Sequence, residues 1–127
     1  MRIWDIHPRY ICTQHLLGQH NELHCIFKTL HLNRKPWSNH PETKRWQNKL
    51  QALHAIHELI VQEFANRNIN HKSPLPQIKD NNIQTIFLHS IEQQHQLLLQ
   101  KSKSLHKCQC NKFLPEQPDN INIWETN

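Results

Sequence analysis

The chain has 127 residues, enough for one ordinary domain and too few for two independent cores. Only 36% of them are hydrophobic, and no aliphatic run is longer than three residues (Leu59-Ile60-Val61, Leu97-Leu98-Leu99); a membrane-crossing helix needs about 20, so neither a spanning segment nor a secretory signal is expected. Lys and Arg exceed Asp and Glu by 15 to 10, giving a net charge of +5 that suits a polyanionic partner, while a single glycine excludes Gly-rich phosphate loops and dinucleotide fingerprints.

Residues 1–12 are apolar-rich, and His7-Pro8 disfavours helix just before the proline. They read as an N-terminal arm. From Thr13, a possible cap, Leu16, Leu23, Phe27 and Leu30 recur at helical steps, and this first helix is expected to end near Asn33. Arg34-Lys35-Pro36 opens a loop carrying Trp37, Asn39 and His40. Pro41 suits the first position of a second helix, with Glu42 in its first turn. Trp46, Leu50, Leu53, Ile56, Ile60, Val61 and Phe64 follow one face to about Arg67. After a loop at 71–76, a third helix is expected to start near Asn81 or Asn82. Its stripe is Ile83, Ile86, Phe87, Ile91, Leu97 and Leu98, interrupted by polar Gln94. The expected architecture is all-α: a single compact domain of about three main helices, with the arm packed between them. Residues 1–103 would form that domain and 104–127, with Pro115 and Pro118, a loosely packed tail whose Trp124 docks back.

The four cysteines, Cys12, Cys25, Cys108 and Cys110, read as reduced thiols in a cytoplasm. Among the 12 histidines, His20 and His24 lie one helical turn apart, His54 and His57 are paired, and His106, Cys108 and Cys110 cluster in the tail. The tail spacing is Cys-x-Cys without an obvious fourth ligand, and Glu22 does not follow His20 directly as a zinc-protease motif requires. A His-rich chain makes such pairs frequent by chance, so no metal site and no cofactor are expected. Glu22 is more informative. It sits in mid-helix near the apolar face, four residues after Gly18. A helical glycine costs about 1 kcal/mol relative to Ala. One use for it is close approach by another backbone beside Glu22; the alternative is a tolerated weak helix residue.

Arg2-Ile3, Gln14-His15-Leu16-Leu17 and Glu22-Leu23 resemble, in order and without a gap in spacing, the phage endonuclease V type of pyrimidine-dimer DNA glycosylase. Asn39-His40-Pro41-Glu42, Trp46 and Asn70-His71-Lys72-Ser73-Pro74-Leu75, with the opening Met-Arg-Ile-Trp-Asp-Ile-His-Pro, are similar to the short bacterial members of that family. The likeness covers roughly residues 1–76. It implies a glycosylase with an associated abasic-site lyase, acting on pyrimidine dimers in duplex DNA as a cytoplasmic, nucleoid-associated monomer without a membrane. Carried over, the nucleophile is the α-amine of Met1, retained because Arg2 is too large for initiator removal, and the assisting carboxylate is Glu22. Arg2, Gln14, His15 and Asn21 fall at substrate-binding positions.

The chemistry suits these residues. A free α-amine has a pKa of about 7.7–8.0 against about 10.4 for Lys, so near neutrality far more of it is unprotonated and nucleophilic. Glu22 can stabilise positive charge on the sugar and move protons. Arg34, Lys35, Lys44, Arg45 and Lys72 are candidate phosphate clamps, and Lys101, Lys103, Lys107 and Lys112 form an acid-free basic stretch. Trp37 could stack or wedge, while Trp4 and Trp46 read more safely as core. Two rival readings are a non-catalytic DNA-binding module on the same scaffold and a His/Cys metal-binding protein.

Overall fold

The computed structural model describes residues 2–71, 73–105 and 108–124. The described residues are all-α, with three long helices, α1 (Thr13–His31), α3 (Leu50–Asn66) and α4 (Ile91–Ser104), and two short ones, α2 (Pro41–Arg45) and α5 (Cys110–Phe113). A 3-10 turn at Pro8–Tyr10 precedes α1, and the sole bridge among the described residues pairs Ile6 with Asn122. No helix of the described residues is long and apolar enough to cross a membrane.

With almost no glycine to stop its helices, the chain uses asparagine. Asn33 and Asn68 take left-handed backbone angles (φ 51° and 60°) just past α1 and α3. Arg34 N–H then reaches back to Thr29 O at 2.9 Å, and Ile69 N–H to Phe64 O at 2.8 Å, closing the last turns in Schellman fashion. Asn is the side chain that tolerates this region best after Gly.

The same device splits the expected second helix. Pro41 does start a helix, capped by the His40 ring, which accepts from Glu42 N–H at 3.0 Å. It stops at Arg45, and Asn48 (φ 61°) turns the chain before α3 begins at Leu50. The third helix starts later than its apolar spacing suggested. Ile83, Ile86 and Phe87 are not helical and are 74%, 48% and 43% exposed. The true start is a capping box in which Ser90 and Gln93 satisfy each other's backbone N–H groups. Gln94, read as interrupting the stripe, is buried. Its side chain accepts from Asp5 N–H at 2.8 Å and donates to Asp5 Oδ2 at 3.0 Å.

Packing gathers the chain into two compact units, Met1–Ile3 with His20–Ile86 and Trp4–Gln19 with Phe87–Asn127. The first has its core in Leu23, Ile26, Phe27, Trp46 and the stripe Leu53, Ile56, Ile60 and Phe64 of α3. The second buries Ile6, Ile11, Leu16 and Leu98. The boundary expected at 103/104 falls inside this second unit. Cys108, Cys110, Leu114, Ile121 and Ile123, from the segment expected to be loose, are buried in it. Ile123 N–H donates to Asp5 O at 2.8 Å, and the Trp124 indole donates to Asp5 Oδ1 at 2.8 Å.

Candidate active site

In the first unit, the arm meets α1 and α2 through its backbone. Arg2 N–H donates to Glu22 Oε2 at 2.8 Å. One residue on, Ile3 N–H donates to Glu42 Oε2 at 3.2 Å, and Ile3 O accepts from Arg45 Nη2 at 2.9 Å. Glu42 Oε1 accepts from Arg45 Nε and, at 3.0 Å, from the Trp46 indole. Arg45 Nη1 donates to Ile86 O at 2.8 Å, and its guanidinium lies over the Trp46 ring. An isolated buried charge would be costly; here each polar atom of the pair is hydrogen-bonded, which is what makes burial tolerable. The pair therefore acts as a clip that fixes Ile3 and sets Arg2 against Glu22.

This arrangement corrects one expectation. Arg45 is only 3% exposed and its guanidinium is committed to Glu42, Ile3 and Ile86, so it is not a phosphate clamp. Arg34, Lys35 and Lys44 are exposed, as are Gln14 and Asn21. Of the expected site residues, the described structure brings together Arg2 and Glu22. Gln14 and His15 belong to the second unit. Met1 and Lys72 lie outside the described residues. Gly18 makes no close approach: among the described residues, no heavy atom lies within 4 Å of a Cβ built on it. It is the tolerated helix residue. Trp4 and Trp46 are core, while Trp37 is exposed with φ 65°. Glu42 was missed as more than a first-turn acid. The available signal was Glu42-x-x-Arg45-Trp46, a complementary pair one helical turn apart.

Two sets of side chains that could hold a metal ion also come together, where the sequence reading expected no metal site. In the second unit, Cys12, His15, Cys108 and Cys110 bring one ligand atom each to within 4.8 Å of the others. In the first unit, His20, His24, His57 and His71 do the same. Both His20 and His24 are held below the usual imidazole range, first by burial and then by neighbouring imidazoles, His20 to about 4. Each is thus neutral near pH 7, the form that binds metals. In the thiol set, a hydrogen bond from Cys110 pushes the Cys12 thiol down, and the same bond with burial pushes Cys110 up. His54, expected to pair with His57, has its Nε2 at 3.5 Å from Glu58 Oε1, and His106 lies outside the described residues.

A family model described as pyrimidine dimer DNA glycosylase matches residues 1–77. No curated protein and no solved structure matches the chain. The matched span contains Arg2, Glu22, the Glu42–Arg45 clip and all four clustered histidines; Cys108 and Cys110 lie beyond it.

Proposed function

We propose a two-step reaction for this chain, which belongs to the pyrimidine dimer DNA glycosylase family. In the first step the α-amine of Met1 attacks the deoxyribose C1′ bearing the damaged pyrimidine. The N–C1′ bond forms as the glycosidic bond breaks, and its electron pair leaves with the base. Opening of the sugar ring then yields an imine. In the second step a proton is lost from C2′, the C3′–O bond to phosphate breaks, and the strand is cut. Glu22 stabilises positive charge developing on the sugar and carries protons in both steps. Neither step calls on a cofactor.

One observation carries this reading, the 2.8 Å hydrogen bond from Arg2 N–H to Glu22. Standard bond lengths keep the nitrogen of any residue within about 4 Å of the next residue's nitrogen. An acid bonded to Arg2 N–H is therefore in the right neighbourhood to serve an amine one residue earlier. Arg2 supplies positive charge next to it. Gln14, His15 and Asn21 remain candidate substrate contacts by resemblance. Duplex DNA would be gripped by Arg34, Lys35, Lys44 and Lys72, and Trp37 sits on the loop that carries the first two, exposed and available to stack. Opening the duplex to reach the nucleotide costs a few kcal/mol, less at a lesion. The reading needs one copy of the chain, since Arg2 and Glu22 belong to the same polypeptide, and a cytoplasmic, nucleoid-associated setting follows from the substrate.

A variant with a short extension ahead of Met1 tests it. Binding to dimer-containing duplex is expected to persist while base release and strand cleavage are lost. Cleavage at the native rate by the extended chain would overturn the amine mechanism. If the native chain itself binds such DNA without cleaving it, the non-catalytic rival holds instead.

A further inference from the structure

We propose that Cys12, His15, Cys108 and Cys110 bind a zinc ion that fastens residues 108–114 to the start of α1. His15 Nδ1 lies 3.3 Å from Cys12 Sγ, 3.3 Å from Cys108 Sγ and 3.6 Å from Cys110 Sγ. Ordinary hydrogen bonding cannot account for this. A neutral imidazole nitrogen has either one proton or one lone pair, so it can satisfy one of the three sulfurs and crowds the other two. A tetrahedral zinc does account for it. With Zn–S of about 2.3 Å and Zn–N of about 2.0–2.1 Å, each sulfur–nitrogen edge of the tetrahedron is about 3.5 Å. Three thiols and one imidazole are a closed structural donor set, with no position left for a reacting water.

The surroundings also fit. Cys12 N–H points at Cys110 Sγ at 3.4 Å, the kind of outer contact that thiolate ligands attract. All three thiols are buried, free of disulfides, and come from chain segments more than 90 residues apart. The segment they tie down includes the four-residue α5, far below the length at which a helix is stable alone.

A different observation points to a second ion in the first unit, a first-row divalent cation held by His20, His24, His57 and His71. His20 is buried and its Nε2 has no hydrogen-bond partner among the described residues. An orphaned buried polar atom is costly, and a metal removes the cost. His57 is fully buried with Nδ1 at 3.0 Å from Glu58 Oε1. Its Nε2 also lies 3.3 Å from Ser73 O; the Nδ1–H tautomer favoured by the Glu58 carboxylate is the one that would leave Nε2 open to a metal, with the carboxylate as the outer contact. Imidazole ligands suit zinc, copper and nickel.

Neither site depends on the DNA reading, and metal content tests both. The full chain, prepared without a histidine tag and saturated with zinc, is expected to retain two equivalents after desalting. Cys108→Ser with Cys110→Ser is expected to lose one, His20→Gln with His71→Ala the other, and Cys25→Ser neither. Retention of both equivalents by the cysteine variant overturns the thiol site, and retention by the histidine variant overturns the imidazole site. If the variants fail to fold, the native chain loaded with cobalt decides. A thiolate-to-cobalt charge-transfer band with tetrahedral visible bands supports the thiol site, and its absence overturns it. A second cobalt equivalent with imidazole-only absorption supports the histidine site; saturation at one overturns it.

Discussion

Residues 2–3 and residues 12–15 are both fastened by polar side chains, in opposite ways. At Ile3 the polar groups have their partners within the chain: Glu42 accepts from Ile3, Arg45 and Trp46, and Arg45 donates to Ile3 and Ile86. At Cys12 and His15 three sulfurs compete for one ring nitrogen. A closed set of partners marks scaffold, and an oversubscribed set marks a place for a ligand. Glu22 lies between these cases, holding Arg2 N–H while remaining only half-buried, as a group that must also meet a substrate would.

The sharpest way to break this comparison is at Glu22. Glu22→Gln keeps an oxygen to accept from Arg2 N–H but removes the charge. Strand cleavage is expected to fall by about 100-fold or more, with helicity and melting temperature unchanged; native cleavage rates would take Glu22 out of the mechanism. Next is the clip. Arg45→Ala leaves Glu42 buried without its counter-charge, a loss of about 3–5 kcal/mol, read as a lower urea midpoint. If Arg45 were instead a phosphate contact, stability would hold and the salt slope of DNA binding would fall.

Metal removal comes third. With free zinc at a hundred times its dissociation constant, the ion adds about 2.7 kcal/mol of stability. Chelation is expected to lower the melting temperature and expose the amides of residues 108–114 to exchange, and added zinc to reverse both. Arg34→Ala with Lys35→Ala should leave the fold intact. If both touch phosphate, the slope of log K against log salt falls by about 1.8. The smallest effect is at Gly18, where a methyl group meets open space among the described residues. Gly18→Ala is expected to stabilise by about 0.5–1 kcal/mol in a urea titration.

Local rules made α1 and the start of α2 legible, because apolar spacing and a proline at the first position act within a few residues. The same spacing misled at Ile83, Ile86 and Phe87, where the Ser90–Gln93 box sets the start of α4 and the apolar side chains stay exposed. The break after Arg45 turned on Asn48, one of several asparagines of which only some adopt left-handed angles. The meeting of the N-terminal arm with Glu22 was legible by resemblance. The thiol set was not, since 93 residues separate His15 from Cys108. The sequence carried only two half-signals, Cys12-x-x-His15 and Cys108-x-Cys110, each of which reads as incomplete. The same holds for His20 and His24, one helical turn apart, whose partners His57 and His71 come from α3 and the loop after it.

The most direct test is to trap the intermediate. The native chain is incubated with duplex carrying a single pyrimidine dimer in the presence of borohydride, and the crosslinked peptide is sequenced by mass spectrometry. A reduced adduct on the amine of residue 1, greatly diminished in Glu22→Gln, is the expected result. An adduct on a lysine side chain, or none while strand cleavage proceeds, would contradict the account.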